Sequence, residues 1–446
     1  MASAAEQLAA NLNFGAFNKA TELKKRLWFT LGALIVYRLG TYIPLPGIDP
    51  VILQDIFRQQ AGGILGMFNM FAGGALGRMT IFALNIMPYI SAAIIMQLMT
   101  SISPSMNQLK KEGATGQKKI NQYTRYLTVL IATMQAYGIS VGIEGMQGSL
   151  GSAVVAPGAF FRFTAVITLV GGTMFLMWLG EQITARGVGN GISLIIFAGI
   201  VAELPSALAG TLELGRTGAL SSGIIIAILI MAIGVIYAIV FVERAQRRLV
   251  VQYPKRQQGN KMYGGESSHL PLKINTSGVI PLIFASSLLL MPTTVISFMA
   301  NSGPEWLTTV SSLLGRGQPS YLLIYSALIA FFAFFYTAVV FNPEETADNL
   351  KKHGGFIPGI RPGKNTAEYL EYVTTRLTVV GASYLVAVAL LPEILISQWS
   401  VPFFFGGTSL LIVVTVTMDT VAQVQSHMLA HQYEGLIKKS RLKGRR

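Results

Sequence analysis

Apolar runs of about 20 residues recur along the whole chain, and each is long enough to cross a bilayer as a helix. Only 12% of the 446 residues are charged, whereas about 25% is typical of a soluble protein, and the mean hydropathy is +0.53. The pattern predicts an all-α polytopic membrane protein. Its ten predicted transmembrane helices span residues 27–43, 79–101, 123–142, 161–180, 188–204, 219–242, 274–297, 319–342, 377–396 and 402–422.

Basic residues lie mostly on one side of these predicted helices. If the N-terminus is inside, the inside segments hold 28 of the 34 Lys and Arg residues, and the outside segments hold six. The positive-inside rule therefore places both termini in the cytoplasm. We expect residues 1–26 to form an amphipathic segment on the cytoplasmic membrane surface. Residues 423–446 are expected to form a basic cytoplasmic tail.

Residues 62–101 are apolar almost throughout, yet the charge pattern allows them a single crossing. The segment before residue 27 and the segment 110–125 are both basic and therefore both inside, so an even number of crossings separates them. Since 27–43 supplies one crossing, 62–101 supplies only one more, for which 79–101 is the better candidate.

The remaining part, residues 62–77, is then predicted to enter from the outer side and to stay there as a re-entrant half-helix. Gly73, Gly74 and Arg78 are expected to break it from the crossing helix. Irregular backbone at membrane depth is tolerated only where it is buried in protein or lines a water-filled cavity. The sequence thus predicts an internal cavity, open to the outside, that holds this plug.

The ten predicted helices divide into two halves of five, residues 27–204 and 219–422. An odd number of crossings per half inverts the second half relative to the first, an arrangement common in transport proteins. The second half contains two cytoplasmic loops, 243–273 and 343–376, that are too long to be simple connections. Their basic charge suits contact with anionic lipid, with RNA phosphates or with an acidic protein.

The predicted helices lack reactive side chains at their centres. They hold no Asp, Glu, Lys, Arg or His there, although such residues mark the substrate and ion pathways of transporters. The chain has no cysteine, which excludes disulfides and thiolate metal sites. A secondary transporter and an intramembrane enzyme are therefore disfavoured, and no cofactor is expected. A ribosome receptor without a pore is a further alternative, but it leaves the half-helix unexplained.

Uncharged polar side chains lie in the second, third and seventh predicted helices. One interpretation is ordinary helix–helix contact, and another is a seam that opens towards lipid. These residues are Ser91, Gln97, Thr133, Gln135, Ser286 and Ser287.

Six motifs, in order along the chain, carry a family resemblance. MFNMFAGGAL, IMPYISAAIIMQL, GEQITARGVGNGISLIIFAGI, FVERAQRR, TADNLKKHGGFIPGIRPG and PFFFGGTSLLIVV together resemble the SecY/Sec61-alpha family, the central channel subunits of protein translocases. The match runs from about residue 20 to the C-terminus. One departure is Asn85, where the family leads us to expect a small, Gly-like residue.

The resemblance implies a protein-conducting channel rather than an enzyme. Such a channel translocates unfolded secretory polypeptides across the bacterial inner membrane and releases membrane-protein segments laterally into lipid, driven by SecA or the ribosome. The implied partners are the SecE and SecG subunits, the SecA ATPase, the ribosome through its rRNA, signal peptides as substrates and membrane lipids, with SecDF and YidC as further candidates.

The resemblance also implies four groups of site residues. An apolar pore ring maps to Ile86, Ile90, Ile196, Ile283 and Ile412. The plug maps to Gly63, Met67, Phe68, Asn69, Phe71, Gly73 and Gly74. A lateral gate between the second and third helices and the seventh and eighth gives a role to the six polar residues above. Docking of SecA or the ribosome maps to Arg247, Arg248, Lys255, Arg256, Lys351, Lys352, Arg361 and Lys364.

Overall fold

The structure is a computed structural model, and it describes most of the chain. The described residues are 21–59, 69, 72–145, 147–148, 151–218, 221–253, 256–258, 261–263, 267–299, 318–399 and 407–443. Residues 1–20 of the predicted amphipathic N-terminal segment lie outside this set.

The described residues form 13 helices and six short strands. The helices are α1 (Thr21–Gly40), α2 (Pro50–Gln59), α3 (Met87–Ile102), α4 (Pro104–Lys111), α5 (Ala114–Glu144), α6 (Ala159–Arg186), α7 (Gly191–Arg216), α8 (Ser222–Arg244), α9 (Ile280–Met299), α10 (Pro319–Val340), α11 (Pro343–Lys352), α12 (Lys364–Trp399) and α13 (Gly407–Lys443). The strands are β1 (Gln147–Gly148), β2 (Gly151–Ser152), β3 (Gln246–Gln252), β4 (Arg256–Gln258), β5 (Lys261–Tyr263) and β6 (Ser267–Lys273).

The helices follow the ten predicted crossings in order. Within the described part of the chain, seven helices are long and apolar enough to cross a membrane. They include or lie within α5, α6, α7, α8, α10, α12 and α13. Helices α3 and α9 are apolar over shorter stretches, and α1 carries three consecutive basic residues, Lys24, Lys25 and Arg26, before its apolar part. The chain is thus a mostly helical, multi-pass membrane protein. Ten of its described helices overlap the ten predicted crossings.

Helix α3 begins at Met87, so the start that we predicted for the second crossing at residue 79 is wrong. Residues 72–86 form successive turns instead. Met79 and Asn85 have φ values of 42° and 50°, in the left-handed region that a right-handed helix excludes. Pro88 then stands in the first turn of α3, where a proline removes no intrahelical hydrogen bond.

Several other crossings continue as helices past their predicted ends. Helix α5 already begins at Ala114, and α12 begins at Lys364. Helix α7 continues to Arg216 with Pro205 inside it, and α13 runs to Lys443. Hydropathy marks only the part of a helix that lies in hydrocarbon, so a polar helical extension leaves no signal in it.

The chain divides into two compact units. The first comprises the described residues within Met1–Leu208, Leu290–Ser311 and Ile412–Arg446, and the second those within Ala209–Leu289 and Ser312–Leu411. The last helix therefore groups with the first half of the sequence: the Gly189 backbone N–H donates to Gln423 Oε1 at 2.9 Å, and Leu23, Val188 and Met428 pack together. The predicted division at 204 and 219 remains a prediction.

The first unit packs its helices closely around small residues. Helix α5 packs against α3 and α6, and α1 packs against α6. Tyr37, Phe82 and Phe175 stack in sequence, with ring centroids 6.3 and 5.8 Å apart. A Cβ atom on Gly172 would overlap the carbonyl oxygen of Ile81. Such small-residue contacts let membrane helices approach closely where lipid competes for apolar surface.

The second unit contains a folded module outside its apolar helices. Strands β3 and β6 pair antiparallel, with Leu249 opposite Leu270, and β4 pairs with β5. An isolated bridge joins Gln252 to Phe356. We call the described residues of 246–273 and 343–373 the polar module. These segments were predicted from the sequence as loops. Their strands were missed because the apolar alternation in β3 is short and because its partner β6 follows an intervening hairpin.

The polar module has a hydrophobic core of its own. This core joins β3, β6, α11, the turn after α11 and the start of α12. Its buried members are Leu249, Leu272, Ala347, Ile357, Ala367, Leu370 and Val373. A surface that carries its own core holds its shape independently of what binds to it.

Candidate functional site

Residues 72–86, which we call the broken segment, interrupt the apolar sequence. Their first part, 72–77, lies within the predicted plug, residues 62–77. Of the seven predicted plug residues, Asn69, Gly73 and Gly74 are described. The other four, Gly63, Met67, Phe68 and Phe71, lie outside the described residues. Asn69 organises the turn, because its carbonyl oxygen accepts from the Gly74 N–H at 2.9 Å and its Oδ1 accepts from the Gly77 N–H at 2.6 Å.

The two adjacent glycines are required by the backbone and by a neighbour. Gly73 and Gly74 have φ values of 63° and 78°, which glycine adopts without a steric penalty. A Cβ atom on Gly73 would also lie 2.9 Å from the Cα atom of Gly199 in α7. The broken segment therefore lies directly against a membrane-crossing helix.

Charged side chains fasten this contact. Arg38 Nη1 donates to the Gly73 carbonyl oxygen at 3.1 Å. Arg78 pairs with Glu203 of α7 at 3.7 Å, and its guanidinium lies 4.3 Å from the centre of the Tyr42 ring. The pair is partly buried, with about a quarter of each side chain exposed, so solvent screens it less than a surface pair.

The sequence analysis did not assign roles to Arg38 and Glu203. A signal was present, because both residues lie near the predicted outer ends of apolar helices, on the same side as Arg78. An acidic residue among outer-side arginines marks a candidate ion pair. The sequence could not tell which arginine approaches Glu203, because that depends on the turn between Gly73 and Arg78.

The broken segment is buried although its backbone is irregular. Ala75, Leu76, Met79 and Ile86 are each at most 1% exposed. Part of its backbone bonds outside itself: the Leu45 N–H donates to the Met79 carbonyl oxygen at 2.9 Å. The segment thus satisfies the requirement that non-helical backbone at membrane depth be enclosed by protein.

The backbone conformation at residue 85 explains why asparagine can replace the Gly-like residue that the family leads us to expect. Its φ of 50° lies in the left-handed region, which glycine adopts freely and which asparagine tolerates better than other side chains. The Asn85 side chain is buried. The backbone at this position requires a residue that tolerates a left-handed conformation, and asparagine meets this requirement.

All five predicted pore-ring residues are buried. Ile86 caps the start of α3, and the Ile90 N–H donates to its carbonyl oxygen at 3.1 Å, so the two lie one helical turn apart. Ile196 lies in α7, Ile412 in α13 and Ile283 in α9. Ile283 belongs to the second unit and the other four to the first. That the five close one constriction stays a prediction.

The predicted gate residues of the first unit differ in their surroundings. Ser91 of α3 and Gln135 of α5 are buried, and the two helices pack together. Thr133 is exposed, and its hydroxyl donates to the Val129 carbonyl oxygen at 2.7 Å within its own helix. Gln97 is partly buried. Ser91 and Gln135 therefore fit a helix–helix seam better than Thr133 does.

The predicted gate residues of the second unit lie on α9. Ser286 and Ser287 are buried, and the Ser286 hydroxyl donates to the Ile283 carbonyl oxygen at 3.0 Å. Beside them, Phe284 meets Phe332 of α10 edge-on, with ring centroids 5.8 Å apart. Helices α9 and α10, the seventh and eighth crossings, thus contact each other within this unit.

The predicted docking residues lie on the polar module, and their exposure fits that role. The exposed ones are Arg247, Arg248, Lys351, Lys352, Arg361 and Lys364. Arg256 lies in β4, and Lys255 lies outside the described residues. Arg361 stands on a turn between Gly359 and Gly363, whose φ values are 80° and 109°. The Thr366 hydroxyl donates to the Arg361 carbonyl oxygen at 3.0 Å and anchors this turn to α12.

Comparisons with known proteins place the chain in one family. A sequence model of the SecY family matches residues 80–421. The protein translocase subunit SecY of Escherichia coli K12 is 57% identical over 424 residues, covering 95% of this chain and 96% of that protein. The chain belongs to the SecY family. Relatives named as SecY are translocase subunits, so the family consists of transport proteins rather than enzymes.

Solved structures agree with the SecY fold. A protein-conducting channel superposes with a TM-score of 0.67 at 17% identity, covering 91% of this chain and 92% of that one. Sec61 in a canine ribosome–channel complex from the endoplasmic reticulum superposes with a TM-score of 0.62, also at 17% identity and with the same coverage. At these identities the likeness establishes the fold.

Proposed function

We propose that this chain forms a channel that carries unfolded secretory polypeptides across the bacterial inner membrane, with both termini in the cytoplasm. The observation that carries the proposal is the broken segment: 15 residues of irregular backbone, 72–86, buried among membrane-crossing helices. A channel without reactive groups acts only by opening and closing. It therefore needs a part that fills the closed path and can leave it.

The pore ring supplies the second barrier. Five buried isoleucines, contributed by α3, α7, α9 and α13, would exclude water from a narrow constriction when no polypeptide is present. Aliphatic side chains form no hydrogen bonds with a passing chain, so they would surround it without holding it. Ions would then not follow the polypeptide.

Lateral release would use a gate between two helix pairs, α3 with α5 on one side and α9 with α10 on the other. Buried but uncharged groups such as Ser91, Gln135 and Ser286 hold helices with moderate strength. A signal segment of about 7–15 apolar residues would separate such contacts more easily than charged pairs. It would then partition into lipid.

Directional energy would come from a partner that docks on the polar module. Its exposed arginines and lysines suit the carboxylates of a motor protein such as SecA or the phosphates of ribosomal RNA. One superposed relative is itself described in a ribosome–channel complex, which supports a ribosome as partner. SecE and SecG are the proposed companion subunits, and SecDF and YidC are candidates for additional contacts.

The test is transport by purified components. The full chain is reconstituted with SecE and SecG in vesicles, and a secretory polypeptide is added with SecA and ATP. We expect polypeptide with a signal segment to become protected from external protease, and omission of SecA to abolish protection. Vesicles that conduct ions but never protect polypeptide would contradict the proposed function.

A further inference from the structure

Helices α10, α11 and α12 of the second unit enclose an open cleft of about 840 Å³, a volume within the range of ligand sites. Its apolar part includes Phe334 and Phe341. Four carboxylates line the rest: Glu344 and Asp348 from α11, and Glu368 and Glu371 from α12. All four are exposed. The cleft is acidic although the chain carries a net charge of +14.

These carboxylates have no cation of their own. Within the described part of the chain, none of the four takes part in an ion pair. Nor do any three described His, Asp or Glu residues come close enough to hold a metal ion. Unneutralised carboxylates at the edge of an apolar surface favour an occupant with an organic cation.

A buried hydroxyl in the same cleft points to an occupant independently of charge. Thr374 is 8% exposed and lines the cleft, and its hydroxyl has no hydrogen-bond partner among the described residues. The hydroxyls of Thr337, Thr375 and Thr378, also in the lining, each donate to a carbonyl oxygen of their own helix. A buried unpaired hydroxyl is unfavourable. The Thr374 hydroxyl can therefore donate a hydrogen bond to an acceptor on the occupant.

The cleft adjoins an apolar groove. Phe334 lines both, and the groove of about 560 Å³ runs between α10 and α12 among Ala327, Ala330, Ala382 and Val386. Both helices are long and apolar enough to cross a membrane, so the groove lies at hydrocarbon depth. The acidic cleft lies where α10 ends and the polar helix α11 begins at Pro343, which is the level of lipid headgroups.

We propose that the cleft and groove together bind a phospholipid with a primary ammonium headgroup. The ammonium would lie among the carboxylates of Glu344, Asp348, Glu368 and Glu371. The phosphate would accept from Thr374, and an acyl chain would lie in the groove. A cleft with carboxylates and a hydrogen-bond donor suits a zwitterion, whereas an anionic headgroup would be repelled by the carboxylates.

A basic helix of another protein is the alternative occupant. The continuity of the cleft with the groove favours the lipid, because a helix on the membrane surface would leave the groove between α10 and α12 empty. Its lysine and arginine side chains would also offer the buried Thr374 hydroxyl no acceptor, because they only donate.

The test is native mass spectrometry of the full chain in micelles that contain equal amounts of phosphatidylethanolamine and phosphatidylglycerol. We expect the wild type to retain phosphatidylethanolamine in preference. The double variant Glu368→Gln/Glu371→Gln should lower this preference about three- to tenfold, as expected for two partly exposed ion pairs. Glu345→Gln, an exposed carboxylate on α11 outside the cleft lining, should leave it unchanged.

A second pair of variants tests the hydroxyl without changing charge. Thr374→Val should lower retention of phosphatidylethanolamine, whereas Thr375→Val should not, because the Thr375 hydroxyl already donates to the Glu371 carbonyl oxygen. Equal retention of the two lipids by the wild type would overturn the proposal. The proposal would also be overturned if the Glu368→Gln/Glu371→Gln variant retained the lipid unchanged but lost a co-purifying basic protein. Free phosphoethanolamine binding as tightly as the lipid would show that the groove takes no part and would equally overturn it.

Discussion

The broken segment and the polar module are the two parts outside the apolar helices on which the proposed channel depends, and they are built in opposite ways. The polar module carries its own apolar core, centred on Leu249, Leu272 and Leu370. The broken segment instead packs into the helices around it, and Arg38, Arg78 and Glu203 fasten it.

This difference indicates which part can move at small cost. Residues 72–77 bury only Leu76 among large side chains, and the hydrogen bond and the ion pair that fasten this region contribute about 0.5–1.5 kcal/mol each, so a substrate can displace these contacts one by one. The loss of a packed core residue costs about 2–5 kcal/mol. We infer that residues 72–77, the part of the broken segment that lies within the predicted plug, leave during opening while the polar module keeps its shape under load from a partner.

The largest expected effect is at the core of the polar module. Leu370 is fully buried there, and Leu370→Ala should destabilise the module by about 2–5 kcal/mol. The measurement is the rate of limited trypsin cleavage between residues 246 and 273. Leu391→Ala is the control, because Leu391 lies on the same helix but is exposed. Equal cleavage rates in the two variants would show that the module has no independent core stability.

The next effect concerns docking rather than stability. Arg361→Glu reverses a charge on an exposed turn of the module and should reduce SecA-driven transport about 30-fold or more, the scale of an interface hot spot. Arg361→Lys should restore only part of it, because lysine lacks the planar fork that binds carboxylate in two places. Arg376→Glu is the matched control, because Arg376 lies on α12 outside this turn. Its guanidinium lies 4.4 Å from the centre of the Tyr372 ring. An equal loss in that variant would mean that charge alone, not the turn, is recognised.

A smaller effect is expected at the pore ring. Ile283→Asn keeps a similar size but hydrogen-bonds water, and the closed state should lose about 1–3 kcal/mol of apolar contact. That loss favours opening about five- to 150-fold. The measurements are ion conductance and export of a signal-defective substrate.

The neighbouring residue separates sealing from folding. Leu282 is 0% exposed and Ile283 is 9% exposed, so Leu282→Asn should lower thermal stability instead of favouring opening. If Leu282→Asn raises conductance and Ile283→Asn leaves it unchanged, the ring was assigned to the wrong face of α9.

The smallest effect is at the fastening of the broken segment. Glu203→Gln removes the ion pair with Arg78 and should favour opening by about 0.5–1 kcal/mol, or about two- to fivefold. Glu213→Gln on the same helix is the control, because it removes the exposed pair with Arg216. Export of the signal-defective substrate should rise only in Glu203→Gln. Equal export in the two variants would mean that the Arg78–Glu203 pair does not hold the segment.

The sequence predicted the helices well and the irregular regions only in outline. Hydropathy located the crossings, and charge parity required a break within 62–101, which was predicted at Gly73, Gly74 and Arg78. Neither predicted that turns replace helix over the whole of 72–86, because left-handed conformations at Met79 and Asn85 depend on tertiary contacts. The strands of the polar module were missed because β3 and β6 pair across an intervening hairpin.

For the site residues, exposure and burial could be predicted from the sequence, but pairing between distant residues could not. Exposure of Arg247, Arg361 and Lys364 follows from charge alone, and burial of the five ring isoleucines follows from their place in apolar helices. The role of Glu203 could not be predicted, since its partner lies more than a hundred positions away in the chain. Pairing over such a separation is decided by the fold.

The most direct test of the central claim compares one buried alanine from each region. Ala72, at the start of the broken segment, is 1% exposed, and Ala347, in the core of the polar module, is 2% exposed. The chain contains no cysteine, so Ala72→Cys and Ala347→Cys each introduce a single reactive thiol. Maleimide labelling rates are measured in nanodiscs, with and without an arrested translocating substrate. We expect the substrate to accelerate labelling of Ala72→Cys and to leave the labelling rate of Ala347→Cys unchanged. An unchanged rate at Ala72→Cys, or an equal rise in both variants, would contradict it.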